Sequence, residues 1–175
     1  MTLSEAEKTI MDILDDLQNL VGNRYETVLR LRRADQNVVV ELAKRLLEDV
    51  DSVKREQGIK SLMLTDNEKN LEIVLPMLND SNSEVRRIAM FYIIRSEKFL
   101  ENIEVINRVI KSLREDPRVE VRAEAAEGLR YCKTTPEVIS ALEYVSMHDY
   151  EYDDDGYSAG SVATASLQWI KENGS

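Results

Sequence analysis

The chain has one cysteine, one histidine, three prolines and six glycines in 175 residues. A lone Cys132 excludes an internal disulfide framework and reads as a small buried hydrophobe rather than a nucleophile. With His148 as the only histidine, zinc sites built on His/Cys clusters are excluded, and a His-based triad would have to use that residue at a loop edge. So little glycine and proline, with aromatics at 6%, leaves scant turn material for an all-β fold. No glycine-rich phosphate loop and no G-x-S-x-G elbow occurs. Paired acids such as Asp15/Asp16 lie on polar faces with no apolar pocket to raise a pKa. The expectation is a protein that is not an enzyme and carries no cofactor. No window approaches eighteen uncharged apolar residues, and the N-terminus has neither a basic n-region nor an apolar h-region. Neither a membrane span nor a secretion signal is expected, and the expected location is the cytoplasm.

What the chain does have is charge, 32% of residues, with a formal net charge of −10 and a pI near 4.7. This balance disfavours nucleic-acid backbones and anionic membranes and favours a partner with a basic surface; it also serves solubility. Apolar residues at 43% suffice for a core, and the length fits one domain, residues 1–175.

Helical signals recur along the chain. Ser4 and Glu7 form a capping box for a helix over about 4–20, ended by Gly22. Asn23 starts a second to about Arg33, and Asp35 or Asn37 caps a third. A fourth ends near Leu64. Thr65 caps the next, in which Pro76 predicts a kink. Ser81 opens the helix Val85–Arg95, another runs from about Lys98 to Arg114, and its partner spans Pro117–Cys132 with Pro117 at the first helical position. Thr134 starts a helix through Val145, and a last one carries Val162, Ala163, Leu167 and Ile170. These are ten helices in five pairs, an all-α reading.

A repeat organises them. Asp49, Asp80 and Asp116 occupy inter-helix turns, and each is followed six residues later by an arginine: Arg55, Arg86, Arg122. Gly58, Ala89 and Ala125 are the small residues on the buried stripes. The carboxylate can cap the following helix, and the arginine can reach the Asp of the adjacent unit. A period of about 31 to 38 residues with a helix pair in each unit predicts stacked hairpins in an α-solenoid. The units LLEDVDSVKREQGIKSL, MLNDSNSEVRRIAMFYI and SLREDPRVEVRAEAAEGL resemble HEAT repeats, in particular the short bacterial phycobilisome-lyase type. The clear repeats lie at about 36–64, 66–95 and 98–132, and degenerate capping units at about 4–34 and 135–172. The first departs from the others in the spacing of Val53 and Lys54. The resemblance implies a right-handed superhelix whose second helices line a concave binding face. It transfers no catalytic residue.

Two candidate surfaces follow. On the concave face, Phe91, Tyr92, Arg95 and Tyr131 combine aromatic and arginine side chains, the usual binding hot spots. The tract His148–Ser158 interleaves Tyr150, Tyr152 and Tyr157 with Asp153, Asp154 and Asp155, within a stretch, Thr135–Ile170, that has no Lys or Arg. Carboxylates steer encounter with a basic surface and tyrosines supply rigid contact area. Glu151, Asp153 and Asp155 also fall at positions 1, 3 and 5 of a calcium-loop pattern, but position 12 is Val162 instead of a bidentate Glu. The leading functional expectation is a protein-binding module for a basic partner, for example an immunity or antitoxin-like protein. The alternatives are a DNA-binding or repair protein of the glycosylase type, for which Arg24, Arg30, Arg32 and Arg33 are the basic cluster, and a lyase or chaperone subunit for a tetrapyrrole-bearing protein.

Overall fold

The computed structural model describes residues 3–19, 23–154 and 156–173, the side chain of Asn67 excepted. Among them the fold is all-helical, without a strand. None of these helices is long and apolar enough to cross a membrane. The expected end at Gly22 and the acidic Asp155 lie outside the described residues. The chain forms two compact units, Met1–Pro76 and Met77–Ser175.

The first unit contains α1 (Glu5–Gln18), α2 (Arg24–Arg33), α3 (Gln36–Leu47) and α4 (Ser52–Val74). Its caps are largely those the sequence signals: Ser4 with Glu7 as a capping box, Asn23, and Asp35 rather than Asn37. Ile10, Ile13, Leu14, Leu31, Val39, Leu42 and Leu46 form its core, each burial worth about 1.5–3 kcal/mol for a side chain of this size. Gly58 lets α4 approach α3 closely, since a Cβ there would sit 3.0 Å from the Ala43 carbonyl oxygen. α4 bends at Asp66 (φ −150°, ψ 90°), whose carboxylate accepts the Lys69 N–H. The cap at this bend is therefore Asp66 and not Thr65, whose hydroxyl donates back to the carbonyls of Ser61 and Leu62. Beyond Val74 the chain tightens into a 3₁₀ segment, Leu75–Asn79. Pro76 lacks an N–H and crowds the carbonyl four residues earlier, so the α-helical ladder changes pitch there.

The second unit contains α5 (Ser83–Ile93), α6 (Glu97–Glu101), α7 (Ile103–Glu115), α8 (Val119–Leu129), α9 (Pro136–His148) and α10 (Ala159–Asn173). α7 packs on α8 and α9 on α10, while α8 also contacts α5 and α10. Ala89 and Ala125 are fully buried on their stripes, as are Val85, Ile93 and Leu129. Gly128 is required where α8 meets Ile94: an added Cβ would lie 2.6 Å from the Ile94 side chain.

Four boundaries in this unit differ from expectation, each for a local reason. Asn82, one residue past Ser81, caps α5 through the N–H groups of Glu84 and Val85. Asn102 breaks the expected 98–114 helix in two, because its side chain accepts from Glu104 and Val105 and restarts the chain as α7. Pro117 stands in the turn rather than at the first helical position, and α8 begins at Val119. Thr135, not Thr134, caps α9, with Pro136 just inside the helix.

Candidate functional site

The Asp/Arg repeat supplies the frame on which the second unit presents its surface. Arg86 grips Asp116 with two hydrogen bonds, 2.7 and 3.0 Å, and also donates to the Asp80 carbonyl at 2.9 Å. Arg122 repeats the arrangement, donating to the Asp116 carbonyl at 2.8 Å and to both oxygens of Asp149 at 2.6 and 3.1 Å. Both guanidinium groups are buried, so these are forked, charge-assisted contacts in a dry setting. The repeated Asp does not cap the next helix directly. Its carboxylate accepts the N–H two residues on, at Asp51, Asn82 and Arg118, which folds the turn ahead of the cap.

Asp149 is the fourth carboxylate of this series, 33 residues after Asp116, and it opens the acidic tract. Arg122 also takes Glu151 at 2.7 Å. The hydrogen bond to Asp149, joined by that to Glu151, raises the Arg122 pKa above its usual value. Two of the tract's acids therefore hold structure. Beyond them the chain makes a tight hairpin: Asp153 N–H donates to the Tyr157 carbonyl, Gly156 N–H to the Asp153 carbonyl, and Tyr157 N–H to the Asp153 carboxylate. Gly156 takes φ +81°, which glycine adopts without strain. Ser158 then opens α10, its hydroxyl accepting the Ser161 N–H. The close fit at the hairpin base needs Gly160, where a Cβ would meet the Asp149 carbonyl oxygen at 2.3 Å.

This stem displays Tyr150, Tyr152 and Tyr157 at 70%, 65% and 62% exposure, with Asp154 exposed between them. On one side of the hairpin, Asp153 and Tyr157 help line an open groove of about 720 Å³. The rest of that groove comes from α5, α8 and α10, including Arg87, Glu124, Glu127 and Arg130. Tyr150 belongs to a different hollow, with Tyr144, His148 and Pro117. The Tyr144 and His148 rings stack there at 4.4 Å.

The candidates expected on a concave face are placed less uniformly. Phe91 and Tyr92 are half-buried and meet edge to face at 5.2 Å. Arg95 is exposed, covers Phe91 at 3.7 Å and bonds Glu124 at 2.9 Å. Tyr131 is exposed but lies against Trp169 at 5.2 Å, beside Leu100 and Lys133 rather than in the groove. Cys132 is buried, and desolvation pushes its thiol up to about 11, too high for a nucleophile at neutral pH. In the first unit, Arg30 pairs with Asp16, Arg33 with Glu26, and Arg32 donates to the Leu64 carbonyl, so these arginines are committed to local partners.

Of the calcium-pattern residues, Glu151 turns to Arg122 while Asp153 accepts from its own hairpin. Among the described residues no group of three His, Cys, Asp or Glu side chains converges on a metal position. The groove residues on α8 and α10, such as Glu120, Val162 and Ala165, carry no motif, and only the helix packing brings them together. The clamp at Asp149 did have a signal, its spacing from Asp116. No protein-family model matches this chain, and no curated protein matches its sequence.

Proposed function

We propose that this chain is a HEAT-like α-solenoid of about five antiparallel helix pairs in a right-handed superhelix, and that it acts as a non-catalytic binding module for a basic protein. An immunity or antitoxin-like role, neutralising a cationic partner, is the most concrete form of the reading. The observation that carries it is the hairpin of residues 152–158. Its stem is fixed by the Arg122 clamp, and it holds two tyrosines and Asp154 out in solvent, with a third exposed tyrosine, Tyr150, beside the clamp. Rigid aromatic rings beside carboxylates suit recognition of a cationic surface, because ordering costs little and charge speeds encounter. The recurring Asp–Arg contacts and the buried Ala89 and Ala125 stripe support the repeat architecture.

Affinity capture with the full chain from its native host tests the reading. A cationic protein held with low-nanomolar affinity and a steep salt dependence is the expected result. Binding to duplex DNA at physiological salt, with no protein recovered, would overturn it in favour of nucleic-acid recognition.

A further inference from the structure

His148 ends α9 and stands next to Asp149, the carboxylate that Arg122 grips. It is the chain's only histidine, and Thr135–Ile170 has no Lys or Arg, so His148 is the one side chain of that stretch able to become a cation. The ring is exposed, yet it is held at two points. Nδ1 lies 2.7 Å from the Tyr144 carbonyl oxygen, and the ring lies nearly parallel to that of Tyr144, 4.4 Å away. A carbonyl oxygen only accepts, so Nδ1 donates and the neutral ring keeps its lone pair on Nε2. A second proton therefore enters at Nε2, on the far side of the ring from that carbonyl. The hollow that His148 helps line lies at the root of the hairpin. From α7 it takes Arg114, from the next turn Asp116, and from α8 Arg122. Tyr144 comes from α9 itself, and Asp149, Tyr150 and Glu151 from the acidic tract. Asp116 is bonded by Arg86, while Asp149 and Glu151 share Arg122. Tyr150, 70% exposed, turns its hydroxyl back to the Met147 carbonyl at 2.5 Å, so a ring assigned to recognition is anchored beside His148.

We infer that His148 makes recognition by the hairpin pH-dependent: its protonation puts a positive charge at the hairpin root and weakens the hold on a basic partner. The inference rests on the protein-binding reading above and supplies its regulation. Histidine changes charge between about pH 5 and 8, a range that lies above the ordinary titration of carboxylic acids and below that of lysine. The new charge meets attraction from Asp149, Glu151 and the face of Tyr144, and repulsion from Arg114 and Arg122. A cationic partner adds further repulsion, whichever way that local balance falls. Affinity is therefore highest with the ring neutral and falls as pH drops through the histidine range.

The test is a titration of the ¹⁵N-labelled full chain with hexalysine, acetylated and amidated so that its charge is constant between about pH 7.5 and about pH 5.5. Shifts of the Tyr150, Tyr152 and Asp154 amides report binding at the hairpin. The parent is expected to bind about two- to fivefold more weakly at the lower pH, the effect of one unit charge at a solvated site. His148→Gln should bind equally at both pH values, as tightly as the parent does at the higher one. His148→Lys, charged throughout, should bind weakly at both, which keeps the test decisive if the other variant misfolds. Equal parental affinity at the two pH values, or an undiminished pH dependence in the variants, overturns the inference and leaves the hairpin reading in place. Hexalysine that moves none of these amides at the higher pH overturns the hairpin as the cation-binding surface, and the inference with it.

Discussion

Arg122 grips Asp149 through two hydrogen bonds and Glu151 through a third, so a tract rich in acids begins with two that are tied to α8. Arg122→Met should release the stem without unfolding the helices. Hydrogen exchange at the Asp153, Gly156 and Tyr157 amides, all bonded within the hairpin, is expected to quicken by tenfold or more. Protection in the middle of α7 and α8 should persist. Unchanged hairpin protection would mean that the turn itself, not the clamp, orders this segment.

The Arg86–Asp116 contact is buried more deeply still, with the Asp116 side chain at 3% exposure. Asp116→Ala leaves a guanidinium without its forked acceptor and should cost about 3–5 kcal/mol in urea unfolding. Arg86→Met combined with Asp116→Leu should recover a large part of that loss, since no uncompensated charge remains. A single variant within about 0.5 kcal/mol of the parent would show the contact to be energetically idle.

The hairpin tip should behave differently from its stem. Asn at positions 153, 154 and 155 together is expected to keep unfolding stability within about 0.5 kcal/mol while slowing association with a basic partner and flattening its salt dependence. Tyr152→Ala or Tyr157→Ala should instead speed dissociation, by about 1–3 kcal/mol if the ring is an anchor. Stopped-flow association and dissociation rates separate the two effects.

Acid should weaken the fold through carboxylates held low, one half-buried and one exposed. The hydrogen bond from Arg118 lowers the Glu120 pKa from 4.5, and the Thr135 hydroxyl does the same for Glu137. A carboxylate whose pKa is lower when folded stabilises the fold above its unfolded value, and that contribution disappears as pH falls through the folded value. Stability contributed by these groups should therefore be intact above about pH 4.5 and decline below it, modestly, since Glu137 is exposed and Glu120 only half-buried. A ¹³C titration should place Glu120 below 4.5, and Arg118→Met should return it towards that value.

Much of the helical plan was legible in the sequence, because caps and apolar stripes are local. Ser4 with Glu7, Asn23 and Asp35 act where the sequence places them. Errors arose where two capping residues adjoin, as at Ser81/Asn82 and Thr134/Thr135, and the backbone, not composition, chooses between them. Asn102 was missed since Phe99, Ile106 and Val109 continue an unbroken apolar pattern across it. The link from each arginine to the next carboxylate was readable from spacing for Arg86 and Asp116, yet Asp149 was hidden by its acidic neighbours. The groove had no linear signature. Ala123 and Ala165 are ordinary helix residues until packing sets their faces side by side.

The separation of stem from tip in the 149–160 segment has a consequence for how this surface could diversify. Asp149, Glu151, Gly156 and Gly160 each meet a fixed geometric demand, while Tyr150, Tyr152 and Asp154 project into solvent. A library that randomises the second set and holds the first constant should return a high fraction of folded members with altered partner choice. On the proposed binding role, the hairpin would serve as an interchangeable reading head on an invariant mount, changing specificity without renegotiating the fold.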